Sequence, residues 1–145
     1  MDIETYDQNN AMLLMVLEPL LINDLNHDMA LKLNGMVDMC RLMMEQPVPS
    51  EIKGFEYSKK FVNTSFKYTL RCVAASVRTE RGVLEFMANP KWLNRLLQIL
   101  EEWKEEEQIA NACKALRLIL RNDSTYDKIA SLYPNLGNFL LILLG

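Results

Sequence analysis

Glycine and proline are scarce in this 145-residue chain, at five of each. That scarcity excludes a loop-rich sandwich and a disordered linker. Cysteine is scarce as well. Cys40, Cys72 and Cys113 are an odd number and no two form a Cys-x-x-Cys step, so they build neither a disulfide framework nor a zinc site. Histidine occurs once, and one imidazole cannot supply a multi-histidine metal centre. No glycine-rich phosphate loop is present, and no serine or cysteine stands in the context of a nucleophile. No apolar run reaches the roughly 18 residues of a membrane span. The acidic start, Met1 to Asp7, lacks the basic region that opens a signal peptide. Together these absences predict a cytoplasmic or nuclear protein, not an enzyme, with no cofactor and no metal.

What is abundant is apolar side chains, at 50% of the residues, enough for one continuous core. The three cysteines lie inside apolar helical patterns and read as small buried hydrophobes. His27, between Asn26 and Asp28, reads as a solvated turn residue ahead of a helix. Net charge is −3, but its layout is uneven. Residues 1–50 hold eight acids and two bases, residues 51–81 hold seven bases and three acids, and the remainder is close to neutral. Such segregation can orient a partner, although solvated helix faces also carry charge.

Spacing of the apolar residues predicts helices throughout and no strand. Asn10 can cap a helix over Ala11–Leu17, which Pro19 kinks or divides before Asn23. A second helix, from about Asp28 to Glu45, places Leu33, Met36, Val37, Cys40 and Met44 on one stripe, with Met36, Met39 and Met43 forming a neighbouring one. Those methionines fill a core or form an adaptable binding surface. Pro47 and Pro49 open the only long connection, Gln46 to about Tyr57. A third helix, Ser58 to Arg78, buries Val62, Phe66, Leu70, Val73 and Val77. A short helix runs to Ala88, and Asn89-Pro90 starts another through Trp103, with Trp92 and Trp103 packed in the core. Glu105 to Arg121 buries Ile109, Ala112, Cys113, Leu116, Ile119 and Leu120 and turns Lys114, Arg117 and Arg121 outward. Ser124 caps a short helix with Asp127 three residues on. A last helix spans Pro134 to Leu144. The acidic run from Glu101 to Glu107 is a solvated turn.

Two stretches repeat at a fixed offset. Cys72-Val73 matches Ala115-Leu116 and Arg78 matches Arg121, both 43 residues apart. At an offset of 44, Pro90, Asn94, Leu96, Leu97 and Leu100 fall on Pro134, Asn138, Leu140, Leu141 and Leu144. A period of about 40–47 with a short helix, a helix and a long helix is the pattern of stacked helical repeats. Glu107 to Ile119 resembles the long third helix of an armadillo repeat, Ser124 to Tyr133 its first, and Pro90–Glu101 and Pro134–Leu144 its second. The resemblance covers roughly Asn63 to Gly145, with HEAT repeats as near neighbours. It implies an all-α fold, a short right-handed α-solenoid with an irregular N-terminal helical pair. The chain divides into N-terminal helices (1–45), a connection (46–57), a repeat (58–103) and an incomplete repeat (104–145).

The resemblance also implies a binding module whose third helices line a concave groove. In importin-alpha-like members that helix carries a Trp and, four residues on, an Asn that clamps a peptide backbone. Here those positions hold Arg71 and Lys114, then Ala75 and Leu118, so recognition of basic nuclear-localisation segments is not implied. The groove should instead be basic. Lys60, Lys67, Arg71 and Arg78 fall within about 40° of one another on their helix, and Lys114 and Arg121 continue the stripe with Arg117 at its margin. These seven residues are the candidate partner-binding site, for an acidic segment held by charge-assisted hydrogen bonds. A partner helix docked on exposed apolar helices is the second form of the same function. Alternatives are a nucleic-acid-binding repeat using the same stripe, against which an isoelectric point near 5.2 weighs, and a Bcl-2-like bundle with an apolar groove. The all-apolar end, Phe139 to Leu144, predicts an uncovered patch, and with it either a fragment of a longer solenoid or a homo-oligomer through the C-terminal helix.

Overall fold

The computed structural model describes residues 2–51, 64–121 and 123–138. Every regular element among them is helical. Helix α1 spans Ile3–Leu21, α2 Asp24–Lys32, α3 Gly35–Glu45, α4 Phe66–Ser76, α5 Glu80–Met87, α6 Pro90–Glu102, α7 Glu106–Leu120 and α8 Asp123–Leu132, with a 3-10 turn at Pro49–Glu51. The all-α expectation is met.

Local chemistry sets the helix boundaries. The Asp2 carboxylate accepts the Thr5 amide at 2.7 Å, so α1 begins at the N-terminus and not at Asn10. Pro19 does not divide α1, because it falls in the last turn, where the helix ends two residues later. Asn23 caps α2 by accepting from the amides of Leu25 and Asn26. The expected single helix from Asp28 to Glu45 is broken at Asn34, whose φ of 63° is left-handed. Asparagine tolerates that region, and Gly35 follows because a Cβ there would lie 2.7 Å from the Ala30 carbonyl oxygen. Thr79 caps α5 through the Gly82 amide at 3.1 Å, and Asn89 caps α6 with Pro90 in its first turn. Helix α8 begins one residue before Ser124, which therefore lies inside the helix and not at its cap.

Helix α4 is the centre of the packing. It lies against α1, α3 and α7, while α6 packs on α3, α5 and α7, and α8 packs on α7. One core runs through all of these, from Leu14 of α1 to Leu136. Phe66, Leu70, Val73 and Val77 are buried as their spacing predicts; Val62 lies outside the described residues. On α7, Ala112, Leu116 and Ile119 are buried and Ile109, Cys113 and Leu120 half-buried, with Lys114, Arg117 and Arg121 exposed opposite. Trp103 ends α6 with its ring 4.8 Å from that of Phe66, and Trp92 packs 6.1 Å from Phe86, so both indoles belong to the core.

Two expectations fail on α2 and α3. His27 is not a solvated turn residue. It lies within α2, 1% exposed, with Nε2 at 2.8 Å from the Ser76 carbonyl oxygen. A carbonyl oxygen only accepts, so Nε2 carries the proton and ties α2 to the end of α4. The stripe through Leu33 and Val37 is also wrong. Leu33 is 70% and Val37 50% exposed, while Met36, Met39, Cys40 and Met43 are buried. The break at Asn34 resets the helical phase, which turns the methionine side of α3 inward.

Candidate functional site

The seven predicted basic residues do not form one free stripe. Lys60 lies outside the described residues. Lys67 sits with its ammonium 5.0 Å from the Tyr68 ring centroid. Arg71 Nε donates to Glu18 Oε2 at 2.9 Å, closing α4 onto α1. Arg78 Nη2 reaches the carbonyl oxygens of Leu21 and Ile22 at 3.0 and 2.6 Å and the Asp24 carboxylate at 3.0 Å. It therefore neutralises the negative end of α1 and clamps the turn into α2. Of the seven, only Lys114 and Arg117 on α7 and Arg121 at its C-cap are exposed with no ion pair among the described residues. The three stand on successive turns of one helix face.

Charge segregation along the sequence closes within the molecule. Glu18 meets Arg71, Asp24 meets Arg78, and Asp28 lies 3.9 Å from Arg81. Arg41 holds Asp38 and Glu45 within α3. The Asp7 carboxylate accepts from the amides of Thr64 and Ser65 at 2.7 and 3.0 Å and from the Ser65 hydroxyl at 2.7 Å. Partial burial alone would push that carboxyl up, but the hydrogen bonds from Ser65 and Thr64 together outweigh it and hold it below the ordinary range. Glu51 is held low by Arg95, its bidentate partner, which is itself a buried residue of α6. Three carboxylates of the acidic N-terminal third are thus paired with cations of α4, α5 and the turn between them.

The thiols are not poised for chemistry. Burial pushes the Cys40 thiol far above its ordinary value. Cys72 is pushed up to about 12, by burial first and by the Glu18 charge second. Cys113 is raised as well. All three are therefore protonated at neutral pH. Among the described residues no group of three His, Cys, Asp or Glu is placed to hold a metal, and no helix is long and apolar enough to cross a membrane. An open cleft of about 580 Å³ lies between α6 and the end of α8, lined by Asn94, Leu97, Gln98, Leu132, Tyr133 and Leu136, with the Tyr133 hydroxyl donating to Asn94.

An exposed apolar surface stands at the other end. Helix α1 buries Ala11, Leu14 and Leu21, and the Leu14 carbonyl accepts from the Cys72 thiol, so this stripe faces α4. Met12, Leu13, Val16 and Leu20 lie on the opposite side at 100° per residue and are 67, 69, 63 and 47% exposed. In α2 the inward residues are His27 and Leu31. Leu25, Met29 and Leu33 lie opposite, at i, i+4 and i+8, and are 81, 55 and 70% exposed. Since α1 and α2 pack together and both turn their inner sides to α4, the two stripes share the side away from α4. Between Asp7 and Asp24 the only charged residue is Glu18, which is turned to Arg71. A helix apolar on all sides is normally covered on all sides.

The sequence analysis placed the uncovered surface at Phe139 to Leu144, which lies outside the described residues. The signal for the N-terminal surface was present in the charge-poor run from Gln8 to Asn23. It was masked by treating Pro19 as a helix breaker. No protein family, no curated protein and no solved structure matches this chain.

Proposed function

We propose that the chain is a non-enzymatic protein-interaction module, a short right-handed α-solenoid of armadillo-like repeats that docks a partner on the outward face of α1 and α2. The observation that carries the interaction is that face: seven large apolar side chains on two adjacent helices, with nothing over them among the described residues. Isolated exposed apolar residues are ordinary, whereas a contiguous patch beyond a few hundred Å² marks an interface.

The helix order supports the repeat reading. Helices α1, α4 and α7 are each followed, after two or three residues, by a short helix, and α2 and α5 are each followed after two residues by a further helix. Helix α4 packs between α1 and α7 as a third helix packs between its neighbours. From Ser76 to Leu120 the spacing is 44 residues, and from Leu21 to Ser76 it is 55. The excess is close to the length of the 46–57 connection, so the irregular N-terminal pair becomes a regular unit carrying an insertion. In that register α1 is a third helix and α2 and α3 are a first and second.

An apolar-surface dye tests the docking face directly. The monomeric chain should enhance its fluorescence in the native state, and Leu25→Glu or Val16→Asp should remove most of the signal with the helix content unchanged. A native monomer that does not bind the dye would overturn the reading.

A second reading rests on Lys114, Arg117 and Arg121. Their exposure without an ion pair among the described residues favours an acidic segment laid along α7. Lys114→Glu with Arg121→Glu should abolish binding of a poly-glutamate peptide. Tighter, steeply salt-dependent binding to duplex DNA than to that peptide would instead favour the nucleic-acid alternative.

A further inference from the structure

We infer that the outward face of α1 and α2 pairs with the same face of a second copy of this chain, as a two-fold dimer. This rests on the docking-face reading and names the occupant. Three features of the face select a copy of itself.

The first is area. The seven side chains are 47 to 81% exposed, which leaves on the order of 900 Å², against about 800 Å² per partner in a stable interface of standard size. A single docked helix covers less than that, while a second two-helix layer matches it.

The second is charge. A foreign helix with a basic rim would need free acids around the patch. The nearby acids are already committed: Glu18 to Arg71, Asp24 to Arg78, Asp28 to Arg81, and Asp7 to the start of α4. Lys32, exposed on the same side of α2 beside Leu33, is long enough to turn its ammonium to the rim, so two such faces meet over an apolar, charge-poor interior, the mark of homodimer interfaces.

The third is shape. The stripes run at i, i+4 and i+8 on two helices in contact with each other, so each presents a ridge of apolar side chains. A copy turned by a two-fold axis meets these ridges with its own, and the same contact recurs across the axis. The contact is isologous and closes at two subunits, so the chain forms dimers and not filaments. Met12 and Met29, long and unbranched, adapt to the seam.

Sedimentation of the full 145-residue chain tests this. Between about 1 and 100 µM the mass should rise from one chain towards two. Leu25→Glu, at a position 81% exposed in the single chain, should leave helix content and melting of the monomer unchanged and weaken self-association about thirtyfold or more. Val16→Asp on the other ridge should do the same, and Lys114→Glu on α7 should have no effect. A chain that stays monomeric throughout, or a dimer that survives both Leu25→Glu and Val16→Asp, overturns the proposal. Dye binding separates the two levels. A monomer that binds the apolar dye, and loses it in Leu25→Glu, overturns the dimer and leaves the docking face standing. A monomer that does not bind it overturns both.

Discussion

Asp7→Ala removes the side-chain cap that α1 supplies to the start of α4. In the native chain the Asp7 carboxylate accepts two amides and a hydroxyl at 2.7 to 3.0 Å, from Thr64 and Ser65. Ser65 itself makes no side-chain cap to α4, so Asp7 supplies the cap from α1. Three charge-assisted bonds taken singly would suggest a large loss. Asp7 is only half-buried, however, and water replaces part of what is removed. The cost should therefore resemble that of a lost N-cap, about 1–2 kcal/mol, or a fall of roughly 3–8 °C in melting temperature for a domain of this size. Asp7→Asn keeps an acceptor and loses the charge, so it should fall between the two. The pH dependence has a definite sign. The folded-state pKa is depressed, so the stabilisation is complete above the unfolded value near 3.9. It is lost as pH falls through the lower folded value. Urea denaturation of wild type and Asp7→Ala should accordingly differ at pH 7 and converge in acid, once the pH has fallen below the depressed folded value. A difference at neutral pH within about 0.5 kcal/mol, or one that persists undiminished in acid, would refute the tertiary cap.

Leu116→Ala should cost about 2–5 kcal/mol, because Leu116 is 2% exposed on the buried side of α7; a near wild-type urea midpoint would mean the α7 register is wrong. Gly82→Ala places a Cβ 1.8 Å from the Ser76 carbonyl oxygen, so it should destabilise by about 1–3 kcal/mol despite the better helix propensity of alanine, and a raised melting temperature would rule out that close approach. Arg71→Glu turns an ion pair with Glu18 into a repulsion and should cost up to about 1 kcal/mol, recovered by adding Glu18→Lys. Lys114→Glu, exposed and without a described ion pair, should stay within about 0.5 kcal/mol of wild type.

Helical periodicity carries most of the secondary structure, and its failure over Asp28–Glu45 has one cause. Phe66, Leu70, Val73 and Val77, and Ala112, Leu116 and Ile119, are buried as their spacing predicts, since each run sits in one unbroken helix. The Asp28–Glu45 run was read as one helix because nothing in it is proline. The break comes at Asn34, a weak helix residue that is left-handed here, with Gly35 packed closely on the Ala30 carbonyl. Once the phase resets there, Leu33 and Val37 are no longer on the side of Met36 and Cys40. His27 failed for a different reason. A lone polar residue defaults to solvent, and its partner is a carbonyl 49 positions away that only the tertiary fold brings within reach.

The site was less legible than the fold because charge is read singly in a sequence and pairwise in a structure. Helical geometry puts Arg71 and Arg78 on a common side of one helix, whereas α4 ends at Ser76 and Arg78 lies in the turn beyond it. That geometry could not show that this side meets Glu18 and the carbonyl end of α1. The same pairing that removes Arg71 and Arg78 from the candidate site also removes Glu18 and Asp24 from the rim of the apolar face. The two changes are linked. Had the acidic N-terminal third stayed free, its apolar helices would have met partners through a field of like charge, which repels a second copy and attracts basic chains. With that charge absorbed by α4 and α5, the exposed leucines and methionines of α1 and α2 determine what the face can bind. A partner selected by area and shape, with little help from charge, should associate at a rate and affinity that hardly change with salt. Binding along Lys114, Arg117 and Arg121 should instead weaken steeply as salt rises. A salt series on the self-association therefore assigns it to one surface or the other: a flat dependence places it on α1 and α2, and a steep loss places it on α7.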